Sequence, residues 1–397
     1  MRAVIVAAVA AVCGTSTSAD WRSEPVRPQS ADTVRYRIAA SIDEELEPRA
    51  AELGEVFGLA VDKVGDVYVA DISNAIIVVF GRDGKFRGTV GRKGRGPGEF
   101  QAPTGIAIDN RNDRLWVRDL EHVTRFVRDP RTGLLAKYDS AFRQPTFHAW
   151  RSSRASRVGT DASFLHVAPD ATAGGPKYFF RYAPNGTRLD SIPLPTYANN
   201  VRSAWYPTGK SGGRMLPGLN RVPFAPVPQW DITPQSNVVS GDAIQYRIVE
   251  TGRRGEPVRE FGRPYGADPI PRAERAESLR ALTRRLDSVR VPFHLVQGMP
   301  DDVRQKRLPS TFPAFQAIFA EVDNRVWVRR WPNEGQMGQT IFDVFDSERR
   351  YVQTVSLPLP ISNEPTPVLR AEFVVAVVNV AETGAQHIVR FETARGR

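Results

Sequence analysis

The chain has 397 residues, 41% of them hydrophobic, enough to bury one large core or two modest ones. Lysine and arginine outnumber aspartate and glutamate by 54 to 44, but these charges are scattered and lack an interleaved aromatic series, which argues against a nucleic-acid partner. The single cysteine, Cys13, excludes an internal disulfide and a zinc site built from cysteines.

Residues 1–19 read as an export signal. Arg2 supplies a positive start, and Ala3 to Val12 is an apolar run too short to span a bilayer. Thr17-Ser18-Ala19 offers small residues for cleavage before Asp20. Cys13 after Ala10-Ala11-Val12 resembles a lipoprotein box, so Cys13 is either a lipid-attachment site or discarded with the leader. Both alternatives place the protein in the periplasm or envelope, with membrane contact only through a lipid anchor. Residues 20–32 read as a linker, and Thr33 to Ile38 alternates with period two as a strand.

One unit is then written twice. Gly58-Leu59-Ala60-Val61-Asp62 and Val67-Tyr68-Val69-Ala70-Asp71 return as Gly105-Ile106-Ala107-Ile108-Asp109 and Leu115-Trp116-Val117-Arg118-Asp119, at an offset of 47 to 48 residues. Ile76 to Phe80 is a third strand, Asp83-Gly84 a hairpin turn and Phe86 to Val90 a fourth strand. Four such strands cannot bury both faces alone, so the spacing predicts propeller blades stacked about an axis.

Asp71-Ile72-Ser73-Asn74-Ala75-Ile76-Ile77-Val78-Val79-Phe80 resembles the core of NHL repeats, and Gly91 to Pro103 resembles the inter-blade loop of bacterial six-bladed β-propellers of that type. The resemblance covers 56–119 and returns at 312–360. It implies an all-β, six-bladed propeller of four-stranded antiparallel blades, occupying 33–397 as one domain, and an exported protein.

Turn spacing then sets the remaining blades. Blade three falls at about 145–195, and 196–223 reads as irregular. Blade four falls at about 224–265, with Ala243 to Val249 as its clearest strand. Residues 268–309 break the pattern, with Leu279, Leu282, Leu286 and Val289 at helical spacing after Pro271. This predicts a partly helical insertion that caps the propeller or closes over a site. Blade five resumes near 312, where Val326-Trp327-Val328-Arg329 echoes Leu115 to Arg118. Blade six has only three strands of its own. Val34 to Ile38 is therefore expected to complete it, antiparallel to Ile388–Phe391.

No motif names a reaction. Gly94-x-Gly96-x-Gly98 lacks the Lys-Ser/Thr and following helix of a phosphate loop, and Gly209-Lys210-Ser211-Gly212-Gly213 lacks the strand–helix setting of a nucleophile elbow and reads as a loop. His148, Gln229, Asp231, Gln316 and Glu364 lie near the inner strands or their entrances and are the channel candidates, with wetting of a solvent-filled channel as their ordinary role. No catalytic residue, cofactor or metal site is assigned. The expected function is a monomeric, non-catalytic envelope module that binds a protein, peptide or glycan. The alternative is a metal-assisted hydrolase or lyase working in the channel.

Overall fold

The computed structural model describes residues 33–144, 156–168, 178–195, 203–211, 214–288, 307–332, 336, 338–380 and 384–394. Residues 1–32, expected to carry the leader and linker, His148 and all of 289–306 lie outside them. Among the described residues the strands form four four-stranded antiparallel sheets, one eight-stranded sheet in which two further four-stranded blades are joined through the N-terminal strand, and one separate hairpin. Blade one runs Val56–Val61, Val67–Asp71, Ile76–Phe80 and Phe86–Val90, and blade two Gly105–Asp109, Arg114–Arg118, His122–Val127 and Lys137–Arg143. Blade three runs Ser156–Val158, Phe164–Ala168, Tyr178–Tyr182 and Arg188–Pro193. Gln229–Ile232, Val238–Gly241, Arg247–Thr251 and Pro257–Gly262 make blade four. Blade five is Ala317–Ala320, Val326–Arg330, Thr340–Phe345 and Tyr351–Leu357. Blade six is Val368–Leu369, Phe373–Asn379 and Gln386–Thr393, completed by the N-terminal strand Thr33–Ile42.

Each blade buries its central strands on both faces against its neighbours. Tyr68, Ile77 and Val79 of blade one pack with Ile106, Leu115 and Phe126 of blade two. Trp116 of blade two stacks on Phe164 of blade three, with centroids 5.5 Å apart. Val375, Val377 and Ile388 of blade six meet Leu59, Val61 and Val69 of blade one. The aspartates ending each repeat unit hold the chain as it enters its blade. Asp71 accepts from Gly54 N–H at 2.9 Å, and Asp119 from Gln101 and Ala102 N–H at 2.8 and 2.6 Å.

The N-terminal strand does more than complete blade six. Tyr36 to Ile42 pairs antiparallel with Gln386–Thr393, but Thr33 to Arg35 pairs parallel with Thr354 to Ser356, the outer strand of blade five. A register shift between Ile38 and Ala40 inserts one residue and turns the strand over. Tyr36 therefore buries in the core between blades five and six, whereas Ile42 buries between blades six and one.

Three expectations are corrected. Residues 196–223 are not simply irregular: Ser203–Ser211 and Arg214–Arg221 pair as a hairpin. Pro207 faces Pro217 there, and a two-stranded ladder with free edges tolerates residues that cannot donate. Gly209 to Ser211 accordingly lies in a strand, not a loop. Ala243 to Ile244 is a turn, not part of a strand. Ala243 has a φ of +61°, and Asp242 accepts from Ile244 N–H at 2.9 Å. Ala243 and Tyr246 are nevertheless buried, as strand residues would be, whereas Ile244 is exposed.

The helix Arg272–Ser288 forms within 268–309. Its Leu279 and Leu282 pack on Val222, Phe224, Phe312 and Trp331, tying it to the rim of blades four and five where the inner strands begin.

Candidate functional site

The six inner strands surround a cavity of about 90 Å³ lined from every blade, from Gly58–Val61 around to Thr366–Arg370. Its two rims are defined by repeated backbone hydrogen bonds. Where the inner strands begin, Thr104, Gln316 and Ser362 N–H donate to the carbonyls of Arg118, Arg329 and Val377 at 2.7–2.8 Å. Where they end, Asp62, Gly159, Thr233 and Glu321 N–H close tight turns onto Asp66, Ser163, Asn237 and Arg325.

Inside the channel, charges are matched between blades. Arg157 of blade three reaches Asp231 of blade four at 2.7 Å, and the same oxygen of Asp231 accepts Ala320 N–H of blade five at 2.8 Å. Asp231 thus fastens three blades. At the ending rim Arg370 of blade six donates to Glu321 of blade five at 3.0 Å. The second carboxyl oxygen of Glu321 has no partner, and burial pushes this group up to about 8. Arg370 opposes that rise but serves only one oxygen, so desolvation wins.

The beginning rim differs. Arg118 and Arg329 occupy the same register position in blades two and five, three blades apart in the ring. Each is more than nine-tenths buried, and neither has a carboxylate within ion-pair distance among the described residues. Arg118 donates Nε to Thr104 Oγ1 at 3.1 Å, and Arg329 donates to Ile361 O and Asn363 Oδ1 at 2.8 and 2.6 Å. Burial lowers both guanidiniums to about 10. His166 lies buried beside this rim, stacked on Tyr182 at 5.3 Å. Burial and the charge of Arg118 hold it near 3, a neutral imidazole.

The sequence candidates do not form one cluster. Gln229 is buried, with its amide on Val227 O at 3.3 Å, and Gln316 reaches Arg330 O at 3.2 Å. Asp231 is an inter-blade clamp. Glu364 lies in the turn before the inner strand of blade six, its N–H on Ser362 Oγ at 3.2 Å. Among the described residues no group of three or more His, Cys, Asp or Glu is arranged to hold a metal ion. Arg118 and Arg329 went unnoticed as site residues. Their signal was the arginine after Trp-Val, where the first repeat has Ala70.

Residues 52–126 match the family model described as a 6-bladed beta-propeller. The fold is a β-propeller. None of the curated proteins matches the sequence. Among solved structures, a Bacteroides fragilis protein described as exported is 14% identical, over 93% of this chain and 97% of that one, with a TM-score of 0.46. The virginiamycin B lyase of Staphylococcus aureus is 12% identical over 85% and 94%, with a TM-score of 0.39. The PQQ-bound aldose sugar dehydrogenase of Streptomyces coelicolor is 13% identical over 90% and 96%, with a TM-score of 0.43. At these identities and scores no activity passes to this propeller. No helix among its described residues is long and apolar enough to cross a membrane.

Proposed function

We propose that this propeller is an exported, envelope-associated, non-catalytic module that binds a protein, peptide or glycan at the rim where its inner strands begin. One observation carries the choice of rim. Channel charges at Asp231 and Glu321 are met by blade-to-blade ion pairs, whereas Arg118 and Arg329 are buried with no carboxylate in ion-pair distance among the described residues. A buried cation left without its counter-charge costs stability, so its retention is accounted for by a partner that supplies the charge. Export rests on the apolar leader and the small residues before Asp20.

The test is array binding by the chain starting at Asp20, on immobilised glycans and peptides, with and without a chelator. Specific retention that survives chelation, with the ligand recovered unaltered, supports the module. Conversion of the ligand, or binding that needs a stoichiometric metal, contradicts it and favours the hydrolase or lyase alternative.

A further inference from the structure

We propose that a groove over blade one, on the face where the inner strands end, binds the neighbouring hydroxyls of an uncharged sugar between Asp66 and Arg87. The groove lies on the face opposite the binding rim, and its occupancy does not depend on that rim.

The groove has a volume of about 810 Å³ and crosses three blades. Its walls are the turns Asp62–Asp66 and Gly81–Lys85 of blade one, Ala39 and Glu392 from blade six, and Arg128 and Gly133 from blade two. At Gly133 a side chain would meet nothing within 4 Å, so the blade-two end is open. This volume falls among those of small-molecule sites, about 300–1,000 Å³.

Asp66 is the exception among matching turn residues. In blade two the same position is Asp113, which accepts from Arg128 at 2.9 Å and from Lys63 at 2.5 Å. Asp66 is only 4% exposed, yet its Oδ2 has no hydrogen-bond partner. Its nearest cation, Arg87, stands 3.9 Å away and has no closer partner among the described residues. Burial, and then the charge of Asp62, raise the Asp66 carboxyl above its ordinary value. A buried carboxylate costs stability unless a donor reaches it. Arg128, on the blade-two wall, also leaves its Nε buried without a partner.

The groups specify the ligand. The other cations of the groove are already paired: Arg82 with Glu392 at 2.7 Å, Arg128 with Asp62 at 3.1 Å and Lys63 with Asp113. With Arg87, these cations face Asp62, Asp66, Asp83, Asp113 and Glu392, a near balance that selects neither an anion nor a cation. A hydroxyl is donor and acceptor at once. Placed about 2.8 Å from each group, one hydroxyl spans the 3.9 Å between Arg87 and Asp66. A second hydroxyl beside it engages the atoms of the pair that the first leaves free. Exposed Val64 gives the C–H face of a ring an apolar wall.

The probes are glucose, galactose and mannose, the trisaccharide, uronate and amino sugar of each, and glycerol, read as calorimetric affinity on the chain starting at Asp20. At least one of the three hexoses should bind, and glycerol at equal concentration should not. Tighter binding of its trisaccharide assigns the groove to a glycan chain, and equal binding assigns it to a free sugar. Asp66→Asn and Arg87→Gln should each weaken that hexose at least roughly tenfold, the loss of a charge-assisted contact. The ligand-free melting temperature should not fall in Asp66→Asn, since the carboxylate it removes has no partner. Ala39→Trp fills the groove from an exposed position and should abolish binding. Failure of all three hexoses leaves the Asp66–Arg87 gap to water and overturns the assignment. So does tighter binding of the uronate or amino sugar than of the hexose, or hexose affinity retained in Arg87→Gln or Ala39→Trp. A lower melting temperature with full affinity in Asp66→Asn would make Asp66 a structural residue and overturn it too.

Discussion

Ile38, near the start of the described chain, pairs with Phe391, near its end, in an antiparallel ladder that closes the ring. The same strand leaves this ladder at its other end to run parallel to Thr354–Ser356, so one segment seals blades five and six together. Unpaired outer edges would otherwise be left on both blades.

Removing 33–38 should therefore lower the melting temperature clearly, whereas removing 20–30 should leave it unchanged. Equal melting temperatures for the two truncations would show that closure does not depend on this strand. Within it, Tyr36 is 4% exposed and Ile38 47% exposed. Tyr36→Ala should cost about 3 kcal/mol or more and Ile38→Ser less than about 0.5 kcal/mol in denaturant unfolding.

Asp231→Ala would strand Arg157 and the Ala320 N–H in the channel. Breaking a buried pair by removing one partner costs about 3 kcal/mol. Replacing both Asp231 and Arg157 with apolar residues should recover part of that loss. Additive losses in the double variant would mean the pair is not coupled.

Glu321 gives a pH dependence of opposite sign to an ordinary paired carboxylate. Its folded pKa is about 8 against the usual 4.5, so the folded state holds a proton that the unfolded state has lost in between. Stability from this group is fully present below 4.5 and falls as pH rises towards 8, by up to about 1.4 kcal/mol per pH unit. Glu250, held low by Arg349 and Asn237 against the upward pull of burial, acts the other way and below that window. Glu321→Gln mimics the protonated acid and should flatten the slope between pH 5 and 8 in urea unfolding. An unchanged slope would place the titration elsewhere.

Leu282 is 4% exposed in the helix Arg272–Ser288, against Phe224, Phe312 and Trp331. Leu282→Ala should cost about 2 to 3 kcal/mol of local stability, seen as faster amide exchange across the helix. Exchange unchanged in the helix would indicate that its attachment lies in other residues.

The legible parts of the chain are those where information is local. Ile76–Phe80 and Phe86–Val90 are readable to the residue, since Asp83-Gly84 fixes the turn and Gly84 adopts a φ of +85°. The recurrence of Asp71 and Asp119 is visible in the repeat, whereas their bonds to Gly54 and Gln101 N–H appear only in the fold. Ala243 misleads because an apolar residue buried in a turn looks in the sequence like one buried in a strand. The channel pairs are illegible for a different reason. Arg157 and Asp231 lie 74 residues apart, and Arg370 and Glu321 lie 49 apart, with no local pattern to join them. The arginines at the beginning rim are equally hidden, because an arginine ending a strand reads as exposed until its blade is packed.

The most direct test of the binding rim is amide exchange on the wild-type chain, free and saturated with the tightest peptide or glycan recovered from the arrays. Protection concentrated at Thr104, Arg118, His166, Gln316 and Arg329 is the result expected. Protection confined to the opposite turns, at Asp62–Asp66 and Glu321–Arg325, would contradict it.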